Sequence, residues 1–277
     1  LSRLTLPPRG VRFEAGTVGG VPGEWVRPGA ANTVDPSSRG VWLYLHGGAY
    51  CVGSPRTHRA LTGALARLGG RPLFVPDYRL APEHPFPAAL DDALACFDAL
   101  SADGPVVLAG DSAGGGLSLA TALALRDRGG AQAAGLYLLS PWADMDFGDV
   151  PDDLTPPGEP MLSVAWGRQC ARFYLADRTP ATHPLCSPLK ANLRGLAPVL
   201  IQVGTDELLH ADALNLHEAL RSAEVPVHCE VGQRRWHVWP LHAGVMPGAT
   251  QALQRGAAFA QSCFGGGPRP FAPAVTG

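Results

Sequence analysis

The stretch Gly110-Asp111-Ser112-Ala113-Gly114 follows the apolar run Val106–Ala109 and opens a helix-like segment that extends to about Arg128. A serine between two glycines at a strand-to-helix junction is typical of a nucleophile elbow, because the sharp turn leaves little room for flanking side chains. The turn presents the serine hydroxyl at the N-terminus of a helix, where negative charge is stabilised. With 34 glycines among 277 residues, the pattern also arises by chance, so other residues must support this interpretation.

Eight short apolar runs have the length and composition of strands. They lie at about Val11–Val18, Glu24–Arg27, Val41–Leu45, Pro72–Pro76, Val106–Ala109, Gly135–Leu139, Pro198–Val203 and Val225–Val231. Helical patterns separate the later runs, at about His58–Leu68, Ala88–Leu100, Leu117–Leu125, Ser163–Leu175, Leu208–Ala223 and Ala249–Phe264. The alternation predicts an α/β fold, with a mostly parallel eight-stranded sheet covered by helices on both faces. No helix separates the first two runs, so they are expected to pair antiparallel.

One long segment, residues 143–197, interrupts the alternation with two proline-rich loops around the helical pattern Ser163–Leu175. Insertions of this length within a compact domain usually have a function. We expect a small helical cap over the site, inserted into a single domain that comprises residues 1–277.

Composition excludes several classes of protein. The net charge is −2 and no long basic block occurs, which argues against a nucleic-acid partner. No apolar run approaches the roughly 20 residues that span a bilayer, so a membrane protein is not expected. The six cysteines are scattered and lack metal-ligand spacing, which favours reduced thiols in a cytoplasmic enzyme without a metal site.

A serine nucleophile needs a base, and the base needs a carboxylate that orients it. Asp206, Glu207 and Asp212 are the carboxylate candidates, because they follow the strand-like run Pro198–Val203. Asp206 comes directly after the carboxyl end of that run and is therefore favoured. Glu207 is expected to point elsewhere, and Asp212 lies within the following helix.

Nine histidines compete for the role of the base. His237 lies in a loop between the last strand-like run and the last helical pattern, which is the place expected when the chain order is serine, acid, histidine. His242, five residues later, is the second candidate. The predicted catalytic residues are Ser112, Asp206 and His237.

The segment His46-Gly47-Gly48-Ala49-Tyr50 follows the strand-like run Val41–Leu45. A tetrahedral oxyanion needs two or three backbone N–H groups that converge on one point, and glycines allow the main chain to come close. The predicted oxyanion hole consists of Gly47, Gly48 and Ala49 together with Ala113, the residue after the nucleophile. Gly48 and Ala49 are favoured over Gly47 as donors.

These motifs resemble those of the hormone-sensitive-lipase-like esterases, bacterial family IV of the α/β-hydrolase superfamily. The resemblance extends from about Trp42 to about Phe264, and the segment Tyr78–Ala89 is similar to a further signature of the family. It implies hydrolysis of small carboxylic esters with short-to-medium acyl groups through a Ser-His-Asp triad and an acyl-enzyme, without metal or cofactor. In this family part of the cap is built from the N-terminal segment, here residues 1–20.

The chain also departs from the family pattern. Ala49 replaces the third glycine of the oxyanion loop, and its N–H remains a donor provided that its φ is negative. Trp236 and Trp239 flank the predicted base, where the two indoles either narrow the pocket or pack against the core. Tyr50 and Trp142 complete the predicted substrate pocket.

Two other functions fit the same residues. An arylformamidase or other amidase uses the same kind of triad and an oxyanion loop that also begins His-Gly-Gly. A non-catalytic ligand-binding receptor on a hydrolase scaffold is the second alternative, although such a receptor would be expected to lack a triad member. The last strand-like run, Val225–Val231, is expected at the edge of the sheet, where it could pair two copies into a homodimer.

Overall fold

The Gly110–Gly114 turn lies at the carboxyl end of a central strand in one eight-stranded sheet. The computed structural model describes residues 6–29, 40–148, 150–156 and 158–265. The strands are β1 Val11–Val18, β2 Val21–Pro28, β3 Val41–Leu45, β4 Leu73–Pro76, β5 Val106–Asp111, β6 Gly135–Leu139, β7 Val199–Gly204 and β8 Val227–Gly232. Their order in the sheet is β1-β2-β4-β3-β5-β6-β7-β8. The pairs from β4 to β8 are parallel, whereas β2 pairs antiparallel with both β1 and β4, as predicted for the first two strands.

Six helices cover the two faces of the sheet. They are α1 Arg59–Gly69, α2 Ala88–Ser101, α3 Ala113–Arg128, α4 Val164–Leu175, α5 His210–Ser222 and α6 Pro247–Phe264. Helices α1 and α6 pack together and bury Leu65 and Leu253 against one face, while Leu117 of α3 and Leu216 of α5 belong to the hydrophobic cluster on the other. The prediction of an α/β sheet covered on both faces is confirmed.

Burial explains why the central strands read as continuous apolar runs. All residues of β5, β6 and β7 are buried, because helices cover both faces of these parallel strands. The outermost strands, β1 and β8, are largely half-exposed or exposed. Strand β8 does lie at the sheet edge, and the homodimer through it stays a prediction.

Two element boundaries lie close to the site. Helix α3 begins at Ala113, directly after Ser112, in line with the helix-like segment that the elbow motif opens; the apolar pattern Leu117–Leu125 marked only its later turns. Strand β7 ends at Gly204, one residue later than predicted.

The segment 143–197 contains α4 and a short 3₁₀ turn at Pro188–Lys190. Tyr174 of α4 stacks on Tyr50, with ring centroids 3.9 Å apart, so the inserted helix rests on the oxyanion loop. The N-terminal segment does not contribute to the cap where it is described, because residues 11–18 form β1 at the sheet edge; residues 1–5 lie outside the described residues. Among the helices that the structure describes, none is long and apolar enough to cross a membrane.

Candidate active site

Ser112 occupies the turn between β5 and α3 in a strained backbone conformation. Its φ of 54° and ψ of −122° lie outside the regions that serine normally adopts. Its N–H donates to the Leu139 carbonyl at 2.8 Å, and its carbonyl accepts from Trp142 N at 2.9 Å and Gly115 N at 3.0 Å. Strain of this kind costs about 1–3 kcal/mol and persists only where surrounding contacts determine it. The predicted elbow is therefore present, held by the end of β6.

The flanking glycines are required by space. A Cβ on Gly114 would overlap with the Leu45 carbonyl oxygen of β3, and a Cβ on Gly110 would overlap with the Gly114 carbonyl. Only glycine lets the first turn of α3 approach β3 and β5 this closely, which explains the residue types on either side of the serine.

The imidazole of His237 contacts the carboxylate of Glu207. The distance from His237 Nδ1 to Glu207 Oε1 is 3.3 Å, and both side chains are buried. The second carboxylate oxygen, Glu207 Oε2, accepts from Ser140 Oγ at 2.8 Å and from Gly204 N at 2.8 Å. Glu207 is therefore surrounded by donors, and its contact fixes the imidazole so that Nε2 is left for another partner.

The structure does not place Asp206, the predicted orienting carboxylate, against His237. Asp206 Oδ1 accepts from Thr205 Oγ1 at 2.7 Å, and its carboxyl group lies beside Gly158 instead. Glu207 takes the expected place of Asp206 because Ser140 Oγ and Gly204 N both donate to its carboxylate. Asp212 lies in the first turn of α5, where burial and the Asp144 carboxylate raise its pKa to about 7.

Two consecutive residues, Leu139 at the end of β6 and Ser140 after it, contact the Ser112 turn and the loop of His237. The Leu139 carbonyl accepts the N–H of Ser112, and Ser140 Oγ accepts the N–H of Val238 at 3.1 Å. No hydrogen bond joins Ser112 Oγ to His237 in this structure, both being described residues. Contacts between catalytic groups are commonly loose in ligand-free enzymes and tighten when substrate binds.

The oxyanion loop differs from the sequence expectation in two respects. Gly47 N donates to Asp111 Oδ1 at 3.1 Å, so this N–H is already used. Ala49 has a φ of 52°, contrary to the expected negative value, and the following Tyr50 has a φ of 63°. Within the described residues, the N–H groups of Gly48, Ala49 and Ala113 have no protein acceptor. These three N–H groups carry no competing hydrogen bond, that of Ala49 despite its positive φ, whereas the N–H of Gly47 does.

An apolar cavity lies above Ser112. It is lined by Ala49, Ser112, Trp142, Phe147, Leu162, Ser163, Trp166, Gly167, Leu208 and Leu209. The cavity volume is about 20 Å³, which is room for about one water molecule. Helix α4, the loop before it and the loop before α5 thus line the space over Ser112.

Of the four predicted pocket residues, Trp142 lines this cavity and three lie elsewhere. Tyr50 packs beneath the cap against Tyr174, Trp239 is buried in the hydrophobic cluster with α6, and Trp236 contacts His242 edge-on. The flanking indoles therefore support the base loop from the core, and the pocket wall comes from the 143–197 segment. No periodic pattern marked Phe147 or Leu162, since both lie in irregular loops.

Comparisons with known proteins agree with this geometry. A family model described as the alpha/beta hydrolase fold matches residues 42–241. An acetyl-hydrolase of Streptomyces hygroscopicus is 41% identical over 255 residues, 91% of this chain and 83% of the relative. An esterase of Acinetobacter venetianus is 34% identical, covering 88% and 80% of the two chains. The crystal structure of an esterase from the bacterial hormone-sensitive lipase family superposes with a TM-score of 0.85 and 36% identity, covering 95% and 88%.

The chain belongs to the hormone-sensitive-lipase-type esterases of the α/β-hydrolase fold family. It is a serine ester hydrolase, as the resemblance implied. Within the described residues of this esterase, no group of three or more histidine, cysteine or acidic side chains is arranged to hold a metal ion.

A second buried carboxylate supports the oxyanion loop of the esterase. Asp111 accepts from Tyr44 OH at 2.6 Å and from Gly47 N, and its other oxygen lies 3.3 Å from His58 Nε2. Burial alone would lower the pKa of His58, but the Asp111 carboxylate raises it above its usual value. Burial likewise acts to raise the pKa of Asp111, yet His58 and Tyr44 hold that pKa below its usual value. The pair is therefore charged at moderately acidic pH.

This pair predicts a pH-dependent stability. The contribution of the pair to the free energy of unfolding is complete between the unfolded pKa of Asp111, about 3.9, and the unfolded pKa of His58, about 6.5. It is lost as the pH rises through the folded pKa of His58. His58→Gln should keep a donor but lose the charge. We expect it to lower the free energy of unfolding by about 1–3 kcal/mol at pH 5.5 and by less at pH 9.

Urea unfolding of both proteins at the two pH values measures this difference. The exposed His84 offers a control, since His84→Gln should change the free energy of unfolding by a similar small amount at both pH values. An equal loss for His58→Gln at pH 5.5 and pH 9 would contradict the charged pair.

Proposed function

We propose that this esterase hydrolyses small esters of short acyl groups through Ser112, His237 and Glu207, with a covalent acyl-enzyme. The observation that carries the proposal is the buried Glu207–His237 contact, which the end of β6 joins to the strained elbow of Ser112. Nucleophile, base and orienting carboxylate are the groups that acyl transfer requires.

In the proposed mechanism, Ser112 Oγ attacks the ester carbonyl carbon while His237 Nε2 takes the hydroxyl proton. Glu207 holds the imidazole by its Nδ1–H and stabilises the imidazolium that forms. His237 then protonates the leaving alcohol, which departs and leaves the acyl group on Ser112. The same imidazole next removes a proton from water, which attacks the acyl-enzyme and releases the carboxylic acid.

The oxyanion of each tetrahedral intermediate is assigned to the N–H groups of Gly48, Ala49 and Ala113. Ala113 is the first residue of α3, so its N–H points out of the helix N-terminus and the helix dipole adds to the stabilisation. The positive φ of Ala49 costs about 1–2 kcal/mol for a residue with a Cβ. The Asp111 contact with Gly47 helps to hold the loop in that conformation.

Short acyl groups are favoured by the size of the cavity over Ser112. A space for about one water molecule accepts an acetyl methyl group with a small adjustment, whereas a long chain requires Phe147 or α4 to move. The name of the Streptomyces relative, acetyl-hydrolase, is in line with this assignment.

Ser112→Ala tests the nucleophile. We expect kcat for p-nitrophenyl acetate to fall roughly 10⁵–10⁶-fold, because no acyl-enzyme can form. Ser118→Ala, which removes a buried hydroxyl from the same helix, should retain activity within about a factor of three and serves as the control. Turnover near the wild-type rate by a folded Ser112→Ala protein would refute the assignment.

Glu207→Gln and Asp206→Asn test which carboxylate orients the base. We expect Glu207→Gln to lower kcat roughly 10³–10⁴-fold, since the amide can no longer stabilise the imidazolium. Asp206→Asn should lower kcat less than about tenfold, because its carboxyl group does not reach the imidazole. Steady-state kinetics of both variants decide the question, and the reverse order of effects would restore Asp206.

Phe147→Ala tests the pocket. Phe147 packs against Trp142 and Gly167, so its removal should enlarge the cavity and raise the octanoate-to-acetate ratio of kcat/KM about tenfold or more. Phe173→Ala, on an exposed face of α4, is the matched control and should leave the ratio unchanged. An unaltered ratio in Phe147→Ala would place the acyl group elsewhere.

Assaying a formanilide beside the esters separates esterase from amidase activity.

A further inference from the structure

Ser140 follows β6 directly and lies between the loops of the nucleophile, the acid and the base. It is fully buried, and its φ of 44° places it in the left-handed region that serine seldom adopts. Its N–H donates to the Gln202 carbonyl of β7 at 2.7 Å. The preceding Leu139 accepts the N–H of Ser112, so the backbone on both sides of this position is fixed.

The hydroxyl of Ser140 donates one hydrogen bond and accepts another. Ser140 Oγ donates to Glu207 Oε2 at 2.8 Å and accepts from Val238 N at 3.1 Å. A hydroxyl has one proton to donate, so the bond to the carboxylate uses its whole donor capacity. One buried side chain thus joins the acid to the residue that follows the base.

Val238 needs this support. Its φ of 49° is a left-handed conformation, which is unusual for a β-branched residue and costs about 1–3 kcal/mol. The conformation of Val238 determines where the preceding His237 enters the site. Its N–H has no other acceptor in the described part of the chain, so the Ser140 hydroxyl is what fixes this turn.

We propose that Ser140 is a positioning residue for the Ser112–His237–Glu207 reaction, acting through Glu207 and the His237 loop at once. The inference rests on the proposed function, because it assigns a role only if those three residues carry the chemistry. Ser140 does not line the cavity over Ser112, so its effect falls on the catalytic step and leaves substrate binding unchanged.

Ser140→Ala is the test. We expect kcat to fall roughly 10–100-fold, the range found when a partner that orients an active-site ligand is removed, with KM changed less than about threefold.

Ser187 provides the matched control. It is also fully buried, and its hydroxyl donates to the Ala181 carbonyl at 2.6 Å and accepts from Met145 N at 2.7 Å. Ser187→Ala removes the same two kinds of bond without contact to the triad. It should lower the melting temperature by a similar amount and leave kcat and KM near those of the wild type.

A double-mutant cycle separates positioning from a general structural effect. In a Glu207→Gln background, the further loss of kcat from Ser140→Ala should be smaller than its loss in the wild-type background, because the carboxylate, one of the two contacts through which it acts, is already gone. Ser140→Cys, which keeps a weaker donor, should recover part of the activity of Ser140→Ala. If Ser140→Ala does not fold, Ser140→Cys carries the same measurements with a smaller expected loss.

Three outcomes would overturn the proposal: a kcat for Ser140→Ala within threefold of wild type, a KM that rises as much as kcat falls, or losses that multiply in full in the Glu207→Gln background. Failure of the proposed function is a different result. It would appear as an active Ser112→Ala protein, whatever the behaviour of Ser140.

Discussion

Glu207 is a buried acidic residue that is only 2% exposed. Burying a charge costs several kcal/mol unless donors surround it. His237 Nδ1, Ser140 Oγ and Gly204 N are those donors. His237 and Ser140 belong to the loops that follow β8 and β6, and Gly204 is the last residue of β7. Satisfying this one charge therefore brings the loops together, and the position of the base over the elbow depends on it.

Asp111 serves the other half of the site in a similar way. Asp111 directly precedes Ser112 in the chain. Its buried carboxylate contacts Gly47 of the oxyanion loop and His58, the residue before α1. Ser112, Ala49 and Val238 all have a positive φ. Strained conformations at functional sites persist where the surrounding contacts determine them. Here backbone hydrogen bonds hold Ser112, Ser140 holds Val238, and Asp111 holds the loop of Ala49.

Much of the fold could be predicted from sequence because the central strands are buried apolar runs with helical patterns between them. Ser112 and His237 could be proposed from the sequence for a related reason, because both lie in turns whose place in the chain order is fixed by the fold. The acid could not be predicted to the residue. Asp206 and Glu207 are neighbours, and only tertiary contacts, from Ser140 and His237, distinguish the carboxylate that lies beside the imidazole.

The pocket and the supporting residues could not be found in the sequence either. Phe147 and Leu162 reach Ser112 only through the path of an irregular segment, and a lone buried serine such as Ser140 has no pattern that distinguishes it. The positive φ of Ala49 depends on how the loop is held from below by Asp111, which is a tertiary contact. Local propensity alone does not contain this information.

A crystal structure of the esterase inhibited by a p-nitrophenyl phosphonate tests the central claim most directly. The account predicts phosphorus bonded to Ser112 Oγ, the phosphonyl oxygen within hydrogen-bond distance of Ala113 N and Ala49 N, and His237 Nδ1 still bonded to Glu207. An imidazole bonded to Asp206, or one that contacts neither the adduct nor Glu207, would contradict it.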